Sequence, residues 1–155
     1  MQPERGDQPP VSRRMKEAMT AKGPLPTNPQ AKLFGPTAIF VSTLLFTPLI
    51  GGAMAATNWR RAGDPKRALQ TALLGLGAVV VMLAVGFFAP DSWESLQRGA
   101  MIGGTMGAAM GFRNEQRLLF DAHVAGGGRK ASPLGPVLVG VLLVGAVLAA
   151  TYAAG

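Results

Sequence analysis

The chain has 155 residues, of which 48% are hydrophobic and only 15% are charged, with a net charge of +7 and no cysteine. Soluble domains carry about 25% charged residues, so this composition argues against a soluble nucleic-acid-binding domain and against disorder throughout. The lack of cysteine excludes a disulfide scaffold and a cysteine-ligated metal site. The apolar residues occur in separate blocks, which is typical of an all-α integral membrane protein that crosses the bilayer several times.

Residues 1–32 are polar and contain six prolines, with six basic residues against three acidic ones. A segment of this composition buries too little apolar surface to offset the entropy of ordering it, so we predict a disordered basic tail. Within residues 11–22, Val11, Met15 and Met19 recur at helical spacing. This pattern leaves open a short basic amphipathic helix on anionic headgroups, although a solvated tail explains the same residues.

Residues 33–57 contain no ionisable side chain, and at about 1.5 Å per residue they are long enough to cross a hydrocarbon core of about 30 Å. Pro48 lies inside this stretch, where we expect it to kink the helix. A second uncharged run covers 68–89, so the two runs predict a helical hairpin. Between them, an interfacial tryptophan is accompanied by basic residues that mark the membrane surface, namely Arg60, Arg61, Lys66 and Arg67.

The apolar run at 99–112 is shorter and is bracketed by two arginines. It provides about 21 Å of helix, so it either crosses a thinned bilayer, re-enters on one side or packs inside the protein. A polar stretch follows, and the last uncharged run covers 134–153. The predicted membrane domain therefore occupies 33–155, with three full spans and a fourth short helix that together suggest a four-helix bundle.

The orientation of these spans is ambiguous. With four crossings, the basic connections after the first and third spans share one side, and the positive-inside rule places both in the cytoplasm. The basic N-terminal tail would then lie outside, which is unfavourable. The conflict disappears if 33–57 is a hairpin broken at Pro48 that enters and leaves the bilayer on one side. Cytoplasmic basic connections are the favoured arrangement.

The short helix carries glycines at strict intervals of four residues, at Gly99, Gly103, Gly107 and Gly111. Residues four apart lie on the same face of a helix, so these glycines predict a groove that lets another backbone approach closely. The partner of this helix-packing face is either another helix of the same chain or a second copy of the chain.

Residues that indicate chemistry are scarce. The three predicted full spans contain no charged residue, whereas transport and proton relay usually use ionisable groups in the membrane. His123 is the only histidine, and a single histidine without a second histidine or a cysteine makes a poor transition-metal site. We therefore expect no enzymatic activity, no cofactor and no metal.

A hairpin motif gives a loose resemblance to a known group. Residues 47–52 read Thr-Pro-Leu-Ile-Gly-Gly, residues 58–61 read Asn-Trp-Arg-Arg, and Gln116 stands in a later helix. In these features residues 40–130 resemble small uncharacterised bacterial inner-membrane proteins. The resemblance implies a multi-pass protein of the bacterial plasma membrane and no particular activity.

These features favour a non-catalytic scaffold or accessory subunit that packs against itself or a larger membrane complex. Two alternatives remain open. One is a small oligomeric transporter or channel that uses the break near Pro48, and the other is a membrane-anchored adaptor whose basic tail binds lipid or an acidic partner. The expected partners are the lipid bilayer and other copies of the chain or a larger complex, and we expect no nucleic acid.

Overall fold

The computed structural model describes residue 28 and residues 30–154, and in these residues the fold is helical apart from one short strand pair. The helices in chain order are α1 (Pro36–Leu45), α2 (Pro48–Ala62), α3 (Pro65–Phe88), α4 (Glu94–Ala125) and α5 (Leu134–Ala154), with a 3-10 turn at Asp91–Trp93. The strands β1 (Lys32–Leu33) and β2 (Arg129–Lys130) pair in parallel. The predicted tail falls largely outside the described residues, as does the proposed amphipathic helix at 11–22.

The predicted first span is wrong in one respect, because it is two helices instead of one kinked helix. α1 ends at Leu45, Thr47 is extended, and α2 begins at Pro48, where the missing N–H of proline costs nothing. A Cβ added at Gly51 would clash with the side chain of Thr43, so the two helices fold back closely on each other. We call α1 and α2 together the broken hairpin.

The broken hairpin returns to the end of the molecule from which it started. The side chain of Asn58, near the end of α2, bonds to the backbone of Phe34, just before α1. The guanidinium of Arg61 donates to the carbonyl of Lys32 at 2.6 Å. The start of α1 and the end of α2 therefore lie together, at what we call the basal end.

The broken hairpin packs against α3 through two glycines. A Cβ added at Gly52 would lie 2.9 Å from the Cα of Gly75, so the two backbones touch. Gly75 also lies beneath the carbonyl of Pro48, at the tip of the hairpin. Ten residues separate Gly75 from the start of α3, which corresponds to about 15 Å along the helix axis. The hairpin thus reaches about half the length of α3.

The connection from α2 to α3 is a tight basal turn. Gly63 has φ 97°, a left-handed conformation that a side chain would strain, and it ends α2. Asp64 then accepts a hydrogen bond from the backbone N–H of Arg67 and caps α3. α3 has 24 residues and ends near Pro90, close to the predicted span at 68–89.

α4 runs back beside α3 and continues past the predicted short helix. It has 32 residues, or about 48 Å of helix, and the predicted segment 99–112 forms its middle. At its start Gln97 donates to the carbonyl of Val85 in α3, and at the opposite end β2 joins β1 at the basal end. Between α3 and α4 lies an apolar cavity of about 790 Å³.

α5 leaves the basal end and matches the predicted last span. Gly140 is its one buried residue among those described, because the ring of Phe46 lies directly against it. α3 and α5 are both long and apolar enough to cross a membrane. The predicted set of three full spans in a four-helix bundle is not confirmed, since 33–57 folds back on itself and α5 contacts the other helices sparsely.

Candidate functional site

The basal end gathers the polar side chains that the fold buries. Asn58 is fully buried. Its Oδ1 accepts from the N–H of Phe34 at 2.8 Å, and its Nδ2 donates to the carbonyl of Phe34 at 2.9 Å. The side-chain amide thus bonds to both backbone groups of one residue, as a neighbouring strand would. Nδ2 also donates to Oε1 of Gln116 in α4 at 2.9 Å. One side chain therefore ties together both ends of the broken hairpin and α4.

Gln116 takes part in this contact through its side-chain oxygen. It is fully buried, and its Nε2 has no hydrogen-bond partner among the described residues. A buried donor without a partner costs about 1–3 kcal/mol. We call Asn58, Gln116 and the backbone of Phe34 the amide cluster.

A second set of contacts links α2, α3 and α4 beside the amide cluster. The indole N–H of Trp59 donates to Oε1 of Glu115 at 3.0 Å, and the hydroxyl of Thr71 lies 3.5 Å from the same oxygen. The guanidinium of Arg67 lies over the Trp59 ring, 4.8 Å from its centre, and pairs with Asp64. Trp59 is therefore held on both sides, although it is close to the predicted membrane surface.

His123 has a structural position near the end of α4. Its side chain is buried, and its Nε2 lies 3.3 Å from the carbonyl oxygen of Arg129. Gly128 passes so closely over the imidazole ring that a Cβ there would overlap it. The ring thereby holds β2 in position, and the N–H of Ala131 donates to the carbonyl of Leu33 at 2.7 Å.

The predicted membrane-surface residues all lie at the basal end. Arg60 and Arg61 stand in the last turn of α2, and Lys66 and Arg67 stand in the first turn of α3. Arg67 is half-buried, whereas the other three are exposed. The strand pair, which was not predicted from the sequence, brings three more basic residues to the basal end: Lys32, Arg129 and Lys130.

The glycine face of α4, formed by Gly99, Gly103, Gly107 and Gly111, contacts no other part of the described chain. All four glycines are exposed, and a Cβ added at any of them meets nothing within 4 Å. Close packing inside the chain uses other glycines, each against one neighbour: Gly51 with Thr43, Gly52 with Gly75, Gly104 with Met82, and Gly140 with Phe46. Of the two predicted partners of the glycine face, a helix of the same chain is therefore not the one observed.

The amide cluster is the feature that sequence reasoning missed. Asn58 and Gln116 were both part of the motif on which the resemblance rests, but nothing in their spacing indicates that they meet, because 58 residues separate them. Polar residues at the ends of apolar runs are common, so composition offers no way to single out this pair.

The chemical groups gathered at the basal end are basic side chains and side-chain amides that form hydrogen bonds within the protein. The amide cluster holds helices together by hydrogen bonds, and the surrounding arginines and lysines present cations to the solvent or membrane surface. Among the described residues, no group of three or more histidine, cysteine or acidic side chains is arranged to hold a metal. No protein-family model, curated protein or solved structure matches this chain.

Proposed function

We propose that the chain is an integral protein of the bacterial inner membrane that acts as a non-catalytic scaffold or accessory subunit. In this proposal α3, α4 and α5 each cross the bilayer, and the broken hairpin enters it from the basal end without crossing. The length and apolar character of α3 and α5 support their crossing. α4 must then cross as well, since it returns from the far end of α3 to the basal end, and its middle is free of charge.

The observation that carries the topology is the return of the broken hairpin to Phe34. With this geometry the N-terminal segment, the 60–67 connection and the 113–130 connection share one side. All three are basic, so the positive-inside rule favours the cytoplasm for each of them at once. The arrangement removes the conflict that four crossings create. The tip of the hairpin would lie near the bilayer midplane, about 15 Å from the basal end.

Introduced cysteines test this topology cleanly because the chain has none of its own. Lys66→Cys and Ser132→Cys should react with a membrane-impermeant maleimide only after the cells are opened. Ser95→Cys and Tyr152→Cys should react in intact cells once the outer membrane is permeabilised. All four positions are exposed in the structure. Labelling of Lys66→Cys and Ser132→Cys from opposite sides of the membrane would refute the topology.

The glycine face supports the scaffold role. In lipid, apolar side chains provide little drive for helices to associate, and close backbone contact between small residues is one of the forces that does. The glycine face spans 12 residues of α4, or about 18 Å, and contacts none of the other residues that the structure describes. We therefore infer that it packs against the same face of a second copy.

Native gels of the detergent-purified protein test this association. Replacing Gly103 and Gly107 with leucine should convert the oligomer to a monomer, because two isobutyl groups would hold the backbones apart. The matched control replaces Gly77 and Gly86, which also stand in open space on the neighbouring helix α3. Unchanged migration of the Gly103→Leu/Gly107→Leu protein, with normal circular dichroism, would refute self-association through this face.

A transport role is the second candidate function, and one observation favours it. The extended backbone at Thr47 interrupts the hairpin about half-way along α3, and helix breaks at this depth carry substrate sites in many transporters. A solute-dependent flux in proteoliposomes is expected for this role. A flat trace at high protein density would count against it.

The adaptor alternative rests on the N-terminal tail. Deleting residues 1–27 should weaken the capture of anionic liposomes in a salt-sensitive manner if the tail provides the adaptor function. Retention of full capture would refute that role.

A further inference from the structure

A cleft between α2 and α5 opens at the basal end and has walls of contrasting chemistry. Its volume is about 310 Å³, and its apolar lining includes Ile50, Met54 and Val139. Arg61 also lines it and stands in the last turn of α2. The cleft therefore combines a cationic mouth with an apolar interior.

Arg61 is held in place at this mouth. One of its terminal nitrogens donates to the carbonyl of Lys32, and its guanidinium lies 5.3 Å from the centre of the Phe34 ring. A guanidinium has five N–H donors, so most of them remain available to a ligand. Holding the side chain in advance lowers the entropy lost when an anion binds.

Two further basic residues belong to the strand pair whose backbone Arg61 contacts. The strand pair places Arg129 opposite Lys32, and Lys32 is the residue that Arg61 contacts. Within residues 30–154, none of these three side chains forms a salt bridge with a carboxylate; the ion pairs present involve Arg67, Arg98 and Arg117. The mouth of the cleft thus carries positive charge that a bound anion would neutralise.

The apolar part continues along α5 toward the middle of the proposed bilayer. A second cavity of about 300 Å³ shares Ile50 with the cleft and extends to Leu148. From Pro136 in the first cavity to Leu148 in the second, α5 advances about 18 Å. One leaflet of the hydrocarbon core is about 15 Å thick. Taken together, the two cavities extend along α5 for about the length of an acyl chain of one leaflet.

We propose that this cleft binds one anionic phospholipid from the cytoplasmic leaflet. The phosphate is bound by Arg61, with Lys32 and Arg129 adding positive charge, and an acyl chain lies along α5 between Val139 and Leu148. The lipid fills the space that the sparse packing of α5 leaves open and thereby fixes α5 against the hairpin. The proposal rests on the membrane topology of the proposed function but not on self-association.

Charge complementarity selects this occupant over two others. A neutral lipid would fill the apolar path but leave three neighbouring cations without a counter-charge. A free phosphate would satisfy the cations but leave the apolar path empty. Only a molecule with a phosphate at one end and a hydrocarbon chain at the other matches both parts of the cleft.

Native mass spectrometry of the full-length protein in detergent tests the proposal. Phosphatidylglycerol and phosphatidylcholine with identical acyl chains should be titrated separately, with inorganic phosphate in a third series. We expect one phosphatidylglycerol to bind at least tenfold more tightly than phosphatidylcholine, and phosphate alone to bind no more tightly than phosphatidylcholine. Equal affinity for the two lipids, or saturable binding of phosphate alone, would overturn the proposal.

Two pairs of variants test the two parts of the site. Arg61→Gln should weaken phosphatidylglycerol binding about tenfold, the effect of losing about 1.4 kcal/mol of charge-assisted hydrogen bonding. Arg60→Gln removes the same charge from the same turn of α2, outside the cleft, and should change binding less than twofold. Equal effects of the two substitutions would refute a specific headgroup site.

Val139→Phe should also weaken lipid binding because it fills the acyl path while keeping every charge. Val141→Phe is the matched control, since Val141 is similarly exposed on α5 but lines neither cavity. Circular dichroism and gel migration of each variant establish that the fold is retained. Loss of lipid binding in Val141→Phe, or its retention in Val139→Phe, would contradict the acyl path. If the cysteine labelling agrees with the topology and lipid selectivity is absent, only this inference fails.

Discussion

Replacement of Asn58 with leucine should open the base of the broken hairpin. The two side chains are similar in size, so the change removes hydrogen bonds with little change in volume. The N–H and carbonyl of Phe34 and the Oε1 of Gln116 would each lose the partner that Asn58 provides. All of these groups are buried within the fold.

The expected loss of stability follows from these groups. Each buried polar group left without a partner costs about 1–3 kcal/mol, and the gain from burying leucine offsets about 2 kcal/mol. For the three groups together we therefore expect a net loss within about 1–7 kcal/mol, centred at about 4 kcal/mol, which is at the upper end of what single substitutions produce. For a chain of this size it corresponds to a fall of about 10 °C in the thermal midpoint.

Thermal unfolding in detergent, followed by circular dichroism, measures this loss. Hydrogen–deuterium exchange of the peptide that contains Phe34 reports the opening directly, since its N–H is no longer bonded. Thr57→Val is the control on the neighbouring residue, because the Thr57 hydroxyl bonds to the Ala53 carbonyl within its own helix. A loss below about 1 kcal/mol for Asn58→Leu, or one equal to that of Thr57→Val, would refute the proposed role of the amide cluster.

Gln116→Leu, at the residue that bonds to Asn58, provides a second test of the amide cluster. It removes the buried Nε2, which has no partner in the described part of the chain, so it should cost less than Asn58→Leu. The double variant should cost less than the sum of the two single variants, because each removes the same bond between Asn58 and Gln116. Strict additivity would indicate that the two side chains do not interact.

The structure predicts a different outcome for each of three glycine-to-alanine substitutions. Gly75→Ala should destabilise the protein by about 1–2 kcal/mol, because its Cβ would lie 3.0 Å from the Pro48 carbonyl oxygen and 3.1 Å from the Cα of Gly52. Gly77→Ala, two residues away in open space, should stabilise α3 by about 0.5–1 kcal/mol through helix propensity. Thermal midpoints that shift in the same direction for both would contradict the observed contact. Gly128→Ala should displace the His123 ring and expose the N–H of Ala131 to exchange, and unchanged protection of that N–H would argue against the role of His123.

The spans at 68–89 and 134–153 were predictable because local information defines them. Each is a long uncharged run with proline near an end, and the observed helices Pro65–Phe88 and Leu134–Ala154 differ from them by few residues. Lipid and protein interiors both favour helices for such runs. The helix of 99–112 was also predictable. Its extension to Glu94 lies beside the end of α3, where Gln97 bonds to Val85, and its extension to Ala125 packs at the basal end through buried Gln116, Leu119 and His123.

The run at 33–57 was predicted as one kinked span, with a hairpin broken at Pro48 as the alternative, because its length and composition suit both equally well. Pro48 permits either a kink or a new helix start. The choice is made by contacts between residues far apart in the chain: Gly52 with Gly75, and Asn58 with Phe34, 24 residues earlier. No periodicity within the run reports such contacts.

Composition and residue spacing were enough to predict that this chain is helical, that its charge lies in the N-terminal segment and the connections, and that α4 carries a glycine face. These properties depend on composition and on spacing along one helix. The tertiary structure was needed to show which polar residues meet, that the glycine face contacts no other described part of the chain, and that Arg61 reaches the strand pair containing Lys32 and Arg129. Such features depend on which helices are neighbours, and that is determined by backbone contact at glycines and by buried amide hydrogen bonds between distant segments.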